Sequence, residues 1–551
     1  MRVVVIGAVA AGTSAAAKAR RNDEQADIVV YEKGHFISYS GCGMPYYISG
    51  EVEKAEALYP RDVSFFKDKY NVDILTEHEV TSLNTTDKTL AVTNLKTGQT
   101  FTDGYDKLVI ATGAFAVAPP IKGIKQGWVF ALRDMGDMVD ISAFVQANKP
   151  KTAAIIGSGF VGLEMAESLR KLGISLTVIE KLPQVMPVMD SDMVVHIKRR
   201  LEEEGIAVYT GATVGEITSQ QVLLNDGRKI SAELVLVSAG IKPNVSLAKE
   251  AGLEIGETGA IKVGRDMRTS NPDIFACGDC AEMFSSLTGK PVWYPLGTTA
   301  NKTGRVAGDA LTGGPLRFRG ILGTSIMRLF DLSIAQTGLT QREAREMGYQ
   351  TVVSHVTKPA RTNYMPGGEM TIKAVADKES GQLLGAQIVG TDGVDKRIDV
   401  LATALSFRAK VEDLEHLDLA YAPPFSATRD PVHYVGMVLS GALGGGRELI
   451  TAEELESAQK AGGKINIIDA RKPESFARSH VKDAANIPHE KLREACETLD
   501  KDALTITYCN SGTTGNAAQN ILLGKGFKRV YNLSGGERQY QAVQGEEMQE
   551  Q

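Results

Sequence analysis

The chain is poor in sulfur that could pair. Its five cysteines, Cys42, Cys277, Cys280, Cys496 and Cys509, are too few and too scattered over 551 residues for a disulfide framework. No apolar run reaches the ~18 residues of a membrane span. The opening Met1-Arg2-Val3-Val4-Val5-Ile6-Gly7 reads as a strand entering a glycine turn and lacks the apolar core and small-residue cleavage site of a signal peptide. The expectation is therefore a cytoplasmic protein. Positive charge is not in excess: the net charge is −6 and the pI about 5.9, which argues against general nucleic-acid binding. No metal-ligand set is expected. What is left is an ordinary globular composition, 43% hydrophobic and 23% charged. The length suits about three or four domains.

One absence is local. Ile37-Ser38-Tyr39-Ser40-Gly41-Cys42-Gly43-Met44-Pro45 carries a cysteine with no second cysteine four or five residues on. A thiol there must form its disulfide, persulfide or sulfenic acid with something from outside the loop. It follows, by about ten residues, an acid that ends a strand–glycine turn–helix–strand unit. That unit is Val3-Val4-Val5-Ile6, the turn Gly7 to Gly12, a helix-like run from Thr13, and Ile28-Val29-Val30-Tyr31 ending in Glu32. Its helix N-terminus offers N–H groups and a positive dipole end to a pyrophosphate, and Glu32 an acceptor to ribose hydroxyls. The middle glycine of G-x-G-x-x-G is missing, replaced by Val9. A second unit lacks nothing: Ala153-Ala154-Ile155-Ile156, then Gly157, Gly159 and Gly162 in full register, then Leu176-Thr177-Val178-Ile179 ending in Glu180. Glu180 would bond the 2′-hydroxyl of NAD and repel a 2′-phosphate, so NADH is expected over NADPH. The two units form an approximate internal repeat, one site per dinucleotide.

With Tyr105 to Gly113 and Thr269 to Asp279, these segments resemble the FAD domain of the pyridine nucleotide-disulfide oxidoreductase family. The resemblance assigns Gly7, Gly12, Glu32, Thr112, Gly113, Gly278 and Asp279 to FAD, and Gly157, Gly159, Gly162 and Glu180 to NADH. Cys277-Gly278-Asp279-Cys280 spells C-x-x-C, but it coincides with the FAD segment and is read as structural. The expected fold is α/β, with two Rossmann-like domains (FAD, 1–113 and 241–321; NAD, 114–240), an α+β dimerisation domain (322–439) and a C-terminal module. In the coenzyme A-disulfide reductase branch, tyrosines like Tyr364 and Tyr421 reach the partner subunit's cysteine, which implies a homodimer. The loop Ser38 to Cys42 followed by Pro45-Tyr46-Tyr47-Ile48 resembles that branch as well. It implies coenzyme A contacts at Lys18, Arg21, Ser38, Gly41 and Lys69, with Arg429 from the partner chain. Gly41 departs from the asparagine familiar there. The peroxidase branch has a histidine where this chain has Ala10, which counts against peroxide chemistry.

Ser440-Gly441-Ala442-Leu443-Gly444-Gly445-Gly446-Arg447 reads as a linker, placed at 440–450. Residues 451–551 resemble a rhodanese domain, with Cys509 between a strand end and a helix start. Successive N–H groups and the helix dipole there stabilise a thiolate or persulfide. Thr514 stands where rhodaneses usually place an arginine. Cys496 is expected to be a bystander. The resemblance to reductase–rhodanese fusions implies NADH-dependent reduction of coenzyme A persulfide or polysulfide through FAD and Cys42, with Cys509 handling sulfane sulfur. Two alternatives stay open: a coenzyme A-disulfide reductase with an accessory rhodanese domain, and a rhodanese-type sulfur carrier or transferase.

Overall fold

The structure, a computed structural model, describes residues 1–550, with side chains through residue 545. Gln551, the end of the expected rhodanese segment, lies outside the described residues. The chain divides into two compact units, Met1–Pro183 with Gly205–Ile321, and Gln184–Glu204 with Leu322–Gln551. Among the described residues no helix is long and apolar enough to cross a membrane.

The first unit holds two parallel five-stranded sheets. One runs, edge to edge, Ile274–Ala276, Lys107–Ile110, Arg2–Ile6, Asp27–Glu32 and Asp73–Thr76. Its inner strands are rich in continuous apolar residues because parallel sheets are covered on both faces; Val3, Val4, Val5 and Val30 are fully buried. The other runs Ala207–Tyr209, Ser175–Ile179, Thr152–Ile156, Leu234–Val237 and Val129–Phe130. In the first sheet the helix Ala10–Asn22 presents alanines to the helix Gly297–Leu311. A Cβ on Gly304 or Gly308 would stand 2.2 or 2.3 Å from the carbonyl oxygens of Ala11 and Ala15. Only glycines allow this approach, which fixes the start of the first helix.

The second unit pairs an antiparallel sheet with a smaller parallel one. The antiparallel order is Ser325–Leu329, Leu332–Gly338, Leu383–Gly390, Glu369–Asp377, Thr351–Pro359. The parallel order is Leu449–Ile450, Val530–Leu533, Leu504–Tyr508, Ile465–Asp469, Ala485–Asn486. Cys496 lies in the apolar core of this smaller sheet with Ile468, Leu492 and Leu522.

Two boundaries differ from those expected. The segment Gln184–Glu204, inside the expected NAD domain, groups with the second unit. The cause is a buried ionic cluster. The helix Ser191–Glu203 carries Asp192, whose oxygens lie 2.7 and 2.8 Å from Lys373 Nζ and 2.9 Å from His355 Nε2. His355 Nδ1 lies 2.9 Å from Ser534 Oγ, and Gln539 Nε2 donates to the Asp192 carbonyl at 2.6 Å. All of these side chains are buried. The expected linker is also largely structured: the helix Pro431–Gly444 absorbs its first five residues. Leu439, Gly441 and Ala442 are buried, so small residues serve packing here rather than freedom.

Candidate active site and nucleotide turns

The internal repeat is geometric. Gly7 N–H donates to the Tyr31 carbonyl at 2.8 Å, and Gly157 N–H to the Ile179 carbonyl at 2.8 Å. Ala8 N–H donates to Glu32 Oε2 at 2.7 Å, and Ser158 N–H to Glu180 Oε2 at 2.9 Å. The other oxygens accept from Gly34 N–H at 2.8 Å and Leu182 N–H at 2.9 Å. Gly7 and Gly157 turn at φ 102° and 103°, where a Cβ would meet a carbonyl oxygen at 2.4 and 2.2 Å. A Cβ on Gly12 or Gly162 would strike the oxygen of Gly7 or Gly157 at 1.8 or 2.2 Å. A Cβ on Gly159 meets nothing within 4 Å, as the approach of a pyrophosphate requires. Val9, at the matching place, has φ −93°, which any residue adopts. Neither helix has a side-chain cap, so first-turn N–H groups remain for an anion.

The remaining FAD-assigned residues gather at the first turn. Gly278, at φ 75°, lies so close that its Cβ would come 2.8 Å from Ala11 Cβ, and its N–H donates to Thr303 Oγ1 at 3.0 Å. Asp279 accepts from Arg133 Nη2 at 2.8 Å, and its carbonyl from Trp293 Nε1 at 2.8 Å. Thr112 Oγ1 donates to the Asn244 carbonyl at 2.8 Å, and Asn244 N–H to the Gly113 carbonyl at 2.9 Å. A buried acid, uncapped N–H groups and forced glycines fit a dinucleotide at each turn. Cys277 and Cys280 are fully buried free thiols, and loss of water pushes both above the usual thiol range. Cys280 Sγ donates to the carbonyls of Ile110 and Cys277 at 3.4 and 3.3 Å. This geometry suits packing.

Cys42 is the exposed cysteine. Its loop is pinned to the first turn: Ser38, at φ 49°, donates its N–H to the Ala8 carbonyl at 2.8 Å. Ser40 N–H donates to the Leu58 carbonyl at 2.7 Å. Cys42 then sits in the one-turn helix Gly41–Gly43, ahead of Met44–Ile48, whose Met44 and Pro45 are buried. One side of the thiol reaches solvent. Protein mass on the other side removes water and pushes its pKa up, and the carboxylates of Glu164 and Asp279 push the same way, while Arg133 opposes them. Glu164 lies on the helix Phe160–Lys171 that opens the second nucleotide turn. The glycine motif itself gives Glu164 no role. Arg133 has no local signal.

The expected coenzyme A cations divide. Lys18 is already paired, 3.0 Å from Asp309 and 2.8 Å from Asn22. Arg21 and Lys69 lie over the Tyr70 ring at 5.8 and 5.6 Å, and Lys69 over Phe65 at 5.3 Å. Arg61, which sequence reasoning missed, lies over Phe65 at 5.5 Å. Among the described residues no carboxylate pairs with Arg21, Arg61 or Lys69, so their charges remain for phosphates. A Cβ on Gly41 meets only Met44 Cε at 3.8 Å, so glycine is not forced there.

In the second unit, Tyr364 and Tyr421 come together. They are exposed by 72% and 45%, and a hydrogen bond between their hydroxyls raises the pKa of Tyr421. Arg429 is exposed and lies 5.6 Å over the Tyr434 ring. Cys509 directly follows the strand Leu504–Tyr508 and is 6% exposed. Its carbonyl and that of Asn510 accept from Glu537 and Arg538 N–H at 2.8 and 3.2 Å. A Cβ on Gly536 would stand 2.3 Å from the Cys509 oxygen. Gly512 turns at φ 97° into the helix Thr513–Gly524, which has no side-chain cap. Among the described residues the N–H groups of Ser511, Gly512, Thr513 and Thr514 find no protein acceptor, which makes the loop an anion nest.

Two dinucleotide turns flanking a lone thiol define a flavin-linked, nicotinamide-dependent thiol oxidoreductase. Residues 1–304 match the pyridine nucleotide-disulphide oxidoreductase family, 324–431 its dimerisation domain and 451–542 the rhodanese-like domain. The chain belongs to the pyridine nucleotide-disulphide oxidoreductase family, and it works with FAD and NADH. It is similar to the reduced Bacillus anthracis CoADR-RHD, with a TM-score of 0.96 and 35% identity over 99% of this chain and 98% of that one. It is also similar to an NAD-dependent persulfide reductase from A. fulgidus, with a TM-score of 0.90 and 38% identity over 98% of this chain and 100% of that one. The NAD(P)H coenzyme A polysulfide/persulfide reductase of Pyrococcus horikoshii is 35% identical over 80% of this chain and 98% of its own length.

Proposed function

We propose that the protein is an NADH-dependent reductase of coenzyme A persulfide and polysulfide, acting through FAD and Cys42 as a homodimer. The observation that carries this reading is the placement of Cys42: an exposed thiol tied to the first glycine turn, with both C-x-x-C thiols fully buried. Similarity to proteins named as persulfide reductases supports it. Arg21, Arg61 and Lys69 take the phosphates of coenzyme A, joined by Lys18, Ser38, Gly41 and the partner's Arg429. The Cys42 thiolate attacks the inner sulfur of the persulfide, CoA–S–SH. A Cys42–S–S–CoA bond forms, the S–S bond of the persulfide breaks, and hydrosulfide leaves. FAD bound at the first turn would supply, from NADH, the two electrons needed to return that mixed disulfide to the Cys42 and coenzyme A thiolates. Tyr364 and Tyr421 reach the partner subunit's Cys42 and donate a hydrogen bond to the leaving thiolate. Glu32 and Asp279 hold FAD, and Glu180 holds the NADH ribose.

The test is sulfide released per NADH oxidised with coenzyme A persulfide. One for one is expected, with Cys42→Ser inactive. No sulfide, or full activity in Cys42→Ser, overturns the reading. Similarity to CoADR-RHD keeps coenzyme A disulfide as a second substrate, and comparing kcat/KM on the two separates them. A pure sulfur carrier would have no use for the second nucleotide turn.

A further inference from the structure

The sulfur loop has an anion nest but no free charge of its own. Asn510, Ser511, Thr513 and Thr514 are neutral. Arg471 touches Asn510 at 3.1 Å, but its guanidinium is bound twice to Asp469, at 2.6 and 2.9 Å, and lies 3.4 Å from Glu537. Arg538 is paired with Glu369 at 3.0 Å. Among the described residues one uncompensated cation reaches the loop, and it comes from outside the rhodanese domain. Lys358, on the strand Thr351–Pro359, places Nζ 3.4 Å from Thr513 Oγ1 and 4.1 Å over the Tyr434 ring. Among the described residues no carboxylate pairs with it. Arg429 lies over the same ring.

Resting on the assignment of Cys509 as sulfur carrier, we propose that Lys358 is a positioning residue for sulfur transfer at Cys509, acting with Arg429 to admit an anionic, phosphate-bearing thiol. The transfer brings two anions together. An acceptor thiolate, R–S⁻, attacks the outer sulfur of Cys509–S–S⁻. A new S–S bond forms between the acceptor sulfur and that outer sulfur, the S–S bond of the Cys509 persulfide breaks, and R–S–S⁻ and the Cys509 thiolate result. Charge and redox state balance without an added electron. Loading from a donor persulfide is the same exchange in reverse. In both directions like charges must approach, and Lys358 offsets the repulsion where the loop itself cannot. Tyr434 keeps the ammonium over its face without neutralising it.

The experiment uses full-length protein carrying Cys42→Ser, so that persulfide formed is not consumed. Glutathione persulfide is the donor, coenzyme A the acceptor, and coenzyme A persulfide is trapped with an alkylating agent and counted. Lys358→Gln should lower kcat/KM for coenzyme A about tenfold, the effect of losing one charge-assisted contact. Added salt should slow the parent and leave Lys358→Gln little changed, and Lys358→Arg should recover most of the rate. A purely structural role would show neither the salt difference nor the rescue. Lys358→Gln at the parent rate with the parent salt dependence overturns the proposal. Cys509→Ser in the same background separates the two ideas. If it still transfers, Cys509 is no carrier and both fall. If it is inactive while Lys358→Gln is normal, only the role of Lys358 falls.

Discussion

Glu180 is the residue on which coenzyme choice should turn. It is 7% exposed, and its carboxylate accepts from Ser158 N–H at 2.9 Å, Ser158 Oγ at 2.7 Å and Leu182 N–H at 2.9 Å. A carboxylate has about four acceptor sites, so one remains for a ribose hydroxyl. Glu180→Gln keeps the shape, removes the charge and turns one oxygen into a donor. Loss of a charge-assisted hydrogen bond costs about 1.5–3 kcal/mol, or roughly 10- to 150-fold in kcat/KM for NADH. For NADPH the sign reverses. A carboxylate about 4 Å from a phosphate charge is repelled by about 1 to 4 kcal/mol between bulk-water and surface-like dielectrics, so removing it should raise NADPH use by roughly 5- to 1,000-fold. The ratio of NADH to NADPH should therefore fall by about 50-fold or more. The assay is the rate of flavin bleaching by each coenzyme in a stopped-flow instrument, which isolates this step from sulfur chemistry. An unchanged ratio would refute the reasoning, and equal losses for both coenzymes would mean that Glu180 only braces the turn.

Two further outcomes follow from charge. Burial, then Glu164 and Asp279, raise the Cys42 pKa, so Glu164→Gln should move the acid limb of Cys42 alkylation to lower pH; an unmoved or upward-shifted limb refutes that cause. Burial alone would raise Asp192, but Lys373 and His355 outweigh it and hold the carboxyl well below its usual range. Its folded pKa lies below the unfolded value of about 3.9, so its stabilisation is present above that pH and fades as pH falls further. Asp192→Asn should cost about 1.5–3 kcal/mol near neutrality, because buried Lys373 is left with Asp190 alone at 3.1 Å, lowering Tm by about 5 °C. The gap in circular-dichroism melts should begin to narrow below about pH 4, and a gap independent of pH contradicts the ionic account.

Much of the site was legible because its chemistry is local. Gly7, Gly12 and Glu32 span one strand–helix–strand unit, as do Gly157, Gly162 and Glu180, and each spacing is dictated by the contact it makes. Cys42 stood out by the company it lacked, and Cys509 by its place between a strand end and a helix start. What sequence reasoning missed is held by contacts far apart in the chain. Arg133 meets Asp279 across 146 residues, and Lys358 meets Thr513 across 155. No motif marks either. Ser440–Gly444 misled because glycine signals freedom in a sequence and close packing in a helix, and only burial tells them apart. The helix Ser191–Glu203 misled because its pairing with Lys373 and His355 outweighs its neighbourhood in the chain.

The chain Asp192–His355–Ser534 bears on how the C-terminal module can be studied. Cutting after Ile450 would strip Ser534 from His355 and Gln539 from both His196 and the Asp192 carbonyl. Those groups would be left facing water or nothing. A shortened enzyme would then differ from its parent by a rebuilt interior as well as a missing domain, and its kinetics would mix the two. Silencing Cys509 by a single substitution leaves that interior whole.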